Sequence, residues 1–166
     1  MNSLLKVKAA LFIVFCTVIP LTAQSQDIKF INLMYSTAVK PVNATVKVTI
    51  YPNSDDSYKL KVESVSLQKV DPSKSIDKEI IITAEQFSKL VDAIQSINQV
   101  EIIGGPHPKL LDGEACSISY GTVGSSISYQ VNTPNHDTEK RRLSNFLKAY
   151  QLILRTAKLD PSSILG

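Results

Sequence analysis

The sequence predicts an α+β domain: an antiparallel sheet of four to five strands in ββαββα order, covered on one face by two helices. Three observations predict it. Two stretches, 45–62 and 116–131, alternate apolar and polar residues with a turn in the middle, the period of half-buried hairpins. Two others, 87–97 and 143–157, repeat apolar residues every three to four positions, the period of a helix with one buried face. Each sheet half is apolar on one side only, so the helices must cover that side. The chain of 166 residues, 43% hydrophobic, is too short for two ordinary domains and too apolar for a disordered one.

The N-terminus sets the expected compartment. Residues 1–8 carry Lys6 and Lys8 and no acid, and residues 9–21 are an apolar run closed by Pro20 and Leu21. Thr22 and Ala23 then lead into polar Gln24-Ser25-Gln26. This is the pattern of a secretory signal, residues 1–23, with the working chain 24–166 beginning near Gln24. The run is shorter than the roughly 20 residues that span a bilayer, so no membrane anchor is expected after cleavage. Cys16 is preceded by Phe15 and followed by more apolar chain, which does not suit a lipid-attachment site. The expected location is periplasmic or extracellular.

The chain has 18 basic and 15 acidic side chains. Two of the lysines leave with the signal, so the exported chain is nearly neutral and offers no footprint for nucleic acid. Lys140-Arg141-Arg142 reads as one solvated helical turn. Cys116 is the one cysteine left after cleavage, so no internal disulfide is available and packing must carry stability.

Element by element, residues 27–35 are apolar without a clean period, a first strand or a lead-in. Val46, Val48 and Ile50 point one way and Lys47, Thr49 and Tyr51 the other, giving a strand. Pro52 to Ser57 turn the chain, and Tyr58, Leu60 and Val62 resume the alternation against Lys59, Lys61 and Glu63. The apolar phase then slips to Val65 and Leu67, which predicts a β-bulge near Glu63-Ser64. Glu79 to Ile82 form an extended approach to a helix. Thr83 with Gln86 three residues later is a capping box, and Phe87, Leu90, Val91, Ile94 and Ile97 are its inward stripe, with Asn98 as terminator.

Residues 100–103 form a short apolar piece, and Gly104-Gly105-Pro106-His107-Pro108 forbids regular structure. Asp112-Gly113 is a tight-turn signal. Cys116, Ile118 and Tyr120 share one face of a strand, residues 121–124 turn it, and Ile127, Tyr129 and Val131 share a face on its return. A final helix is expected from Thr138 to Leu159, capped by Asn135 or Asp137 and stopped by Asp160-Pro161.

No phosphate loop, dinucleotide fingerprint or nucleophile elbow is present, and no cofactor is expected. His107, Asp112, Glu114 and Cys116 fall within ten residues of one another, but their spacing fits no metal motif, and no metal is expected. A thiol enzyme would need a base, His107 or His136, beside the sulfur of Cys116. The phase of Cys116 with Ile118 and Tyr120 favours a core thiol instead. The loop 104–112 combines glycine freedom with proline bracing and carries His107, Lys109 and Asp112, so these three are the expected binding residues. The expected function is a non-catalytic binding or interaction module with a protein partner. The alternative is a small hydrolase or thiol enzyme centred on Cys116, His107 and the Asp112–Glu114 turn.

Leu21-Thr22-Ala23-Gln24, the helix start Thr83-Ala84-Glu85-Gln86-Phe87, and Leu111-Asp112-Gly113 before a hairpin, a proline loop and a last helix run through most of the chain. In these features it resembles the small exported α+β proteins of unknown function from Bacteroidota-type bacteria. The resemblance implies an exported α+β domain and no particular activity, and it assigns no functional residue.

Overall fold

The computed structural model describes residues 28–40, 43–66, 75–106 and 113–165. The expected signal, residues 1–23, lies outside them. Elements follow in the order β1 (Phe30–Ser36), β2 (Thr45–Pro52), β3 (Tyr58–Val65), β4 (Asp77–Ile82), α1 (Ala84–Gln95), α2 (Gln99–Gly104), β5 (Ala115–Thr122), β6 (Ser125–Asn132), α3 (Ser144–Thr156) and α4 (Pro161–Leu165). The strands form one sheet in the order β4-β3-β2-β1-β5-β6, every neighbouring pair antiparallel.

The α+β class stands, but the expected ββαββα order with four to five strands is corrected to six strands and four helices among the described residues. Of the two readings of 27–35, a first strand or a lead-in, the strand holds: β1 lies inside the sheet between β2 and β5. Its inward residues Ile31, Leu33 and Tyr35 are fully buried, while Phe30 and Met34 on the opposite side blur the alternation. The approach to the first helix is the edge strand β4, paired with β3 from Tyr58↔Ile82 to Glu63↔Asp77.

The predicted bulge is absent. β3 pairs with β2 without interruption through Glu63↔Lys47, Ser64↔Val46 and Val65↔Thr45. The pleat therefore turns Ser64 inward and Val65 out to water. Ser64 is tolerated there because its hydroxyl accepts from the Ile76 amide at 2.8 Å. Its own amide donates to the Ile76 carbonyl, also at 2.8 Å.

One face of the sheet is apolar. Ile31, Leu33, Val46, Val48, Ile50, Leu60, Val62 and Ile118 form a single buried cluster with Phe87, Leu90 and Ile94 of α1 and Phe146, Tyr150 and Ile153 of α3. Of the expected core, Val91 and Leu147 prove half-buried at its margin. The capping box at Thr83 forms as the sequence requires: its hydroxyl accepts from the Gln86 amide, and the Gln86 side chain accepts from the Thr83 amide. The other face stays open and polar. Its lysines meet acids, Lys59 with Glu79 at 3.4 Å and Lys61 with Glu63 at 2.8 Å.

Asn98 does not end α1. Ser96 does, and Asn98 caps α2 by accepting from the Val100 amide at 3.0 Å. The last helix is shorter than expected. It starts at Ser144 without a side-chain cap, because Asp137 and Arg142 take positive φ and residues 133–143 form turns. Asp160 does not stop α3, which ends at Thr156; it opens α4, accepting from the Ser162 amide at 3.1 Å. Gly121 has a steric cause: a Cβ there would sit 2.7 Å from the Ser126 Cα and closer still to the Ser125 carbonyl oxygen. Among the described residues no helix is long and apolar enough to cross a membrane.

Candidate functional site

The expected binding residues His107, Lys109 and Asp112 lie outside the described residues. The structure does show the chain on either side of that segment, up to Pro106 and from Gly113.

Before residues 107–112, α2 ends in Gly104 and Gly105 against the start of the last helical region. A Cβ on Gly105 would lie 2.6 Å from the Arg141 carbonyl oxygen, so glycine lets the two backbones touch. Beside this contact is a hollow of about 370 Å³ lined by Ile102, Pro106, Gln130, Val131, Asn132, Arg141 and Leu143. On α2 nearby, Val100 is 77% and Ile103 67% exposed, unusual for large aliphatic side chains.

Arg141 is not part of a solvated helical turn. It is buried, and its guanidinium donates to the carbonyls of Asn132 (2.7 Å), Thr133 (2.7 Å) and His136 (3.0 Å). Its Nε is buried with no hydrogen-bond partner. Burial draws its pKa down, and the nearby Asp137 charge partly opposes this. This side chain folds residues 132–143 back on themselves, which is why α3 starts late.

After residues 107–112, Glu114 pairs by backbone with Thr133: the Thr133 amide donates to the Glu114 carbonyl at 2.7 Å. The Glu114 carboxylate turns inward. Its Oε1 accepts from the Tyr35 hydroxyl at 2.8 Å and lies 3.1 Å from Lys40 Nζ. Lys40 also donates to the Ile164 carbonyl at 2.7 Å, tying α4 to the same cluster. Glu114 Oε2 is buried without a partner, and a hollow of about 250 Å³ lies among Thr37, Lys40, Glu114, Thr133 and Asn135. Burial, and then the hydrogen bond to Glu114, push the Tyr35 hydroxyl well above the usual phenol range.

Cys116 is completely buried, on the face where its phase with Ile118 and Tyr120 puts it. Desolvation pushes its thiol up to about 12. A thiol that stays protonated has little nucleophilicity at neutral pH. His136 is exposed, with Nε2 3.8 Å from Asp137 Oδ2. Among the described residues no group of three His, Cys, Asp or Glu side chains is placed to share a cation. Sequence reasoning missed Lys40, Tyr35 and Arg141. The first two lie far from Glu114 in sequence and meet it only across the sheet, and Arg141 was masked by its charged neighbours.

The Cys116 pKa has a measurable sign. Its folded value lies above its unfolded one, so the neutral thiol stabilises the fold fully below about pH 9. That stability is lost as pH rises toward about 12, at up to about 1.4 kcal/mol per pH unit. Urea titrations from pH 8 to 11 should show a shallower alkaline loss in Cys116→Ala than in the natural chain. A disulfide reagent should label Cys116 only as the protein unfolds. Labelling as fast as that of a free thiol would place the sulfur in a cleft.

A comparison with protein-family models finds no match to this chain, and a comparison with curated proteins finds none either.

Proposed function

We propose that the protein is an exported, non-catalytic interaction module, acting in the periplasm or outside the cell. It would hold a protein partner beside the end of α2, where residues 107–112 follow in the chain. The observation that carries this reading is that α2 exposes Val100 and Ile103 while its Ile102 lines the 370 Å³ hollow. Apolar side chains clustered at the surface beside a concave site mark places where another molecule docks. His107, Lys109 and Asp112 follow Pro106 directly in the chain and are proposed as the partner's polar contacts. The thiol-enzyme reading gains no support, since its nucleophile is shut in the core.

The test is capture of envelope proteins on the purified, immobilised chain. Replacing His107, Lys109 and Asp112 together by alanine should leave thermal stability unchanged and weaken capture of the recovered partner at least about tenfold. Equal capture by the triple variant would move the site elsewhere, and the lysine-bearing face of the β2–β3 hairpin would be examined next.

A further inference from the structure

The two edges of the sheet differ. β4 carries Asp77, Lys78 and Glu79, and charges on an edge discourage another strand from adding to it. β6, at the other edge, reads Ser-Ser-Ile-Ser-Tyr-Gln-Val-Asn: no charge, no proline and no bulge along eight consecutive pairs with β5.

The hairpin geometry fixes which backbone groups of β6 are free to pair. The turn is the two residues Val123 and Gly124, so Thr122 and Ser125 are a hydrogen-bonded pair, and such pairs alternate along the strand. Ser125, Ile127, Tyr129 and Val131 therefore spend their amides and carbonyls on β5. Those of Ser126, Ser128 and Gln130 point away from the sheet. The carbonyl of Asn132 also points outward, and Arg141 already holds it, so the open edge ends beside that guanidinium.

On the helix-covered side, a hollow lies at each end of this edge. One, of about 230 Å³, is lined by Ile28, Tyr120, Gly121, Ser126 and Ile127. The other is the 370 Å³ hollow at Val131 and Arg141. Ile127 and Val131 share a face four residues apart, about 13 Å. Ile127, on the side the helices cover elsewhere, is 42% exposed.

We propose that β6 receives an extended segment of the partner polypeptide as a seventh strand. Large apolar side chains four residues apart would enter the two hollows, and an acidic group would lie at the Arg141 end. This rests on the interaction-module reading and names how the partner is held. Charge complementarity selects the acidic end, because Arg141 is a buried cation whose hydrogen bonds all go to neutral carbonyls and whose charge the nearby Asp137 offsets only in part. A second copy of the chain fits less well. Paired two-fold about Tyr129, it would present Ile127 at one hollow, but its Val131, already 5% exposed in its own core, cannot enter the other.

The probes are three pools of acetylated decapeptides with aliphatic residues fixed two, three or four positions apart, each with and without a glutamate beside the pair. Binding is read by fluorescence anisotropy. The four-apart pool with glutamate should bind most tightly, and N-methylation of alternate peptide amides should abolish binding. Ser128→Pro removes an outward amide that the β5 ladder does not use. It should lower affinity at least tenfold at unchanged melting temperature, and Ser128→Thr should retain it. Absence of a spacing preference, or indifference to N-methylation, overturns the proposal even if Ser128→Pro fails to fold. A wild-type dimer that Ser128→Pro dissociates overturns it in favour of a second copy. Partner capture that is lost in the His107/Lys109/Asp112 variant but intact in Ser128→Pro overturns strand addition and leaves the interaction module standing.

Discussion

Replacing Phe146 with alanine should lower unfolding stability by about 3–5 kcal/mol. Phe146 is 1% exposed on the inward stripe of α3, with its ring centroid 5.8 Å from that of Tyr150. The substitution loses the transfer energy of the ring and leaves a void in the layer between α3 and the sheet. That void closes poorly, because α3 is held at both sides. Tyr150 donates to the Met34 carbonyl on the central strand at 3.1 Å, and Asn145 donates to the Ser96 carbonyl at the end of α1 at 3.0 Å. Leu147→Ala, on the half-buried flank of the same helix, is the control and should cost clearly less. Urea unfolding monitored by circular dichroism measures both. A loss below about 1 kcal/mol at Phe146 would mean that the inward face of α3 is wrongly assigned.

Arg141→Met should destabilise by about 3 kcal/mol or more, although it keeps most of the buried volume. It removes the one donor that three part-buried carbonyls, those of Asn132, Thr133 and His136, share, and each costs about 1–3 kcal/mol where water does not replace the guanidinium. Arg141→Lys should recover only part of this, because a single ammonium cannot reproduce the planar fork that reaches all three oxygens. The damage should be local first. Amide exchange should rise across residues 132–143 at denaturant levels where β1 and β2 remain protected. Unchanged exchange there would show that the turn is held by something other than the guanidinium.

Where local chemistry decided the structure, the sequence could be read directly. Thr83 and Gln86 announce a capping box that needs only four consecutive residues, and the β2–β3 and β5–β6 hairpins follow from alternation beside turn residues. What was missed depends on distant partners. The 30–36 segment becomes the central strand because β2 and β5 pair on either side of it, yet its outward Phe30 and Met34 hide the period. The bulge was inferred from Val65 and Leu67, on the premise that apolar residues turn inward. Ser64 reversed that at Val65, through two hydrogen bonds to Ile76 that no periodicity reveals. The site was legible only in part. The core placement of Cys116 could be read from phase, while His107, Lys109 and Asp112 lie outside the described residues. The inward turn of Glu114 requires Tyr35 and Lys40, and the carbonyl-binding role of Arg141 requires residues 132–136 to fold back, so neither could be seen one position at a time.

The placement of β1 also shapes how the chain assembles. β1 to β4 form a meander whose pairings are all between neighbours in sequence, so their loops close at small entropic cost. β5 must instead find β1 across three intervening strands and two helices, setting Tyr120 opposite Ile31 and Cys116 opposite Tyr35. This non-local pairing carries the largest loop-closure cost in the sheet, so docking of the β5–β6 hairpin is the step expected to limit folding. A chain that has not yet docked it leaves one side of its most apolar strand unpaired, a form prone to aggregate. Raising the protein concentration during refolding should therefore cost yield, and substitutions along β5 that weaken this docking should slow folding.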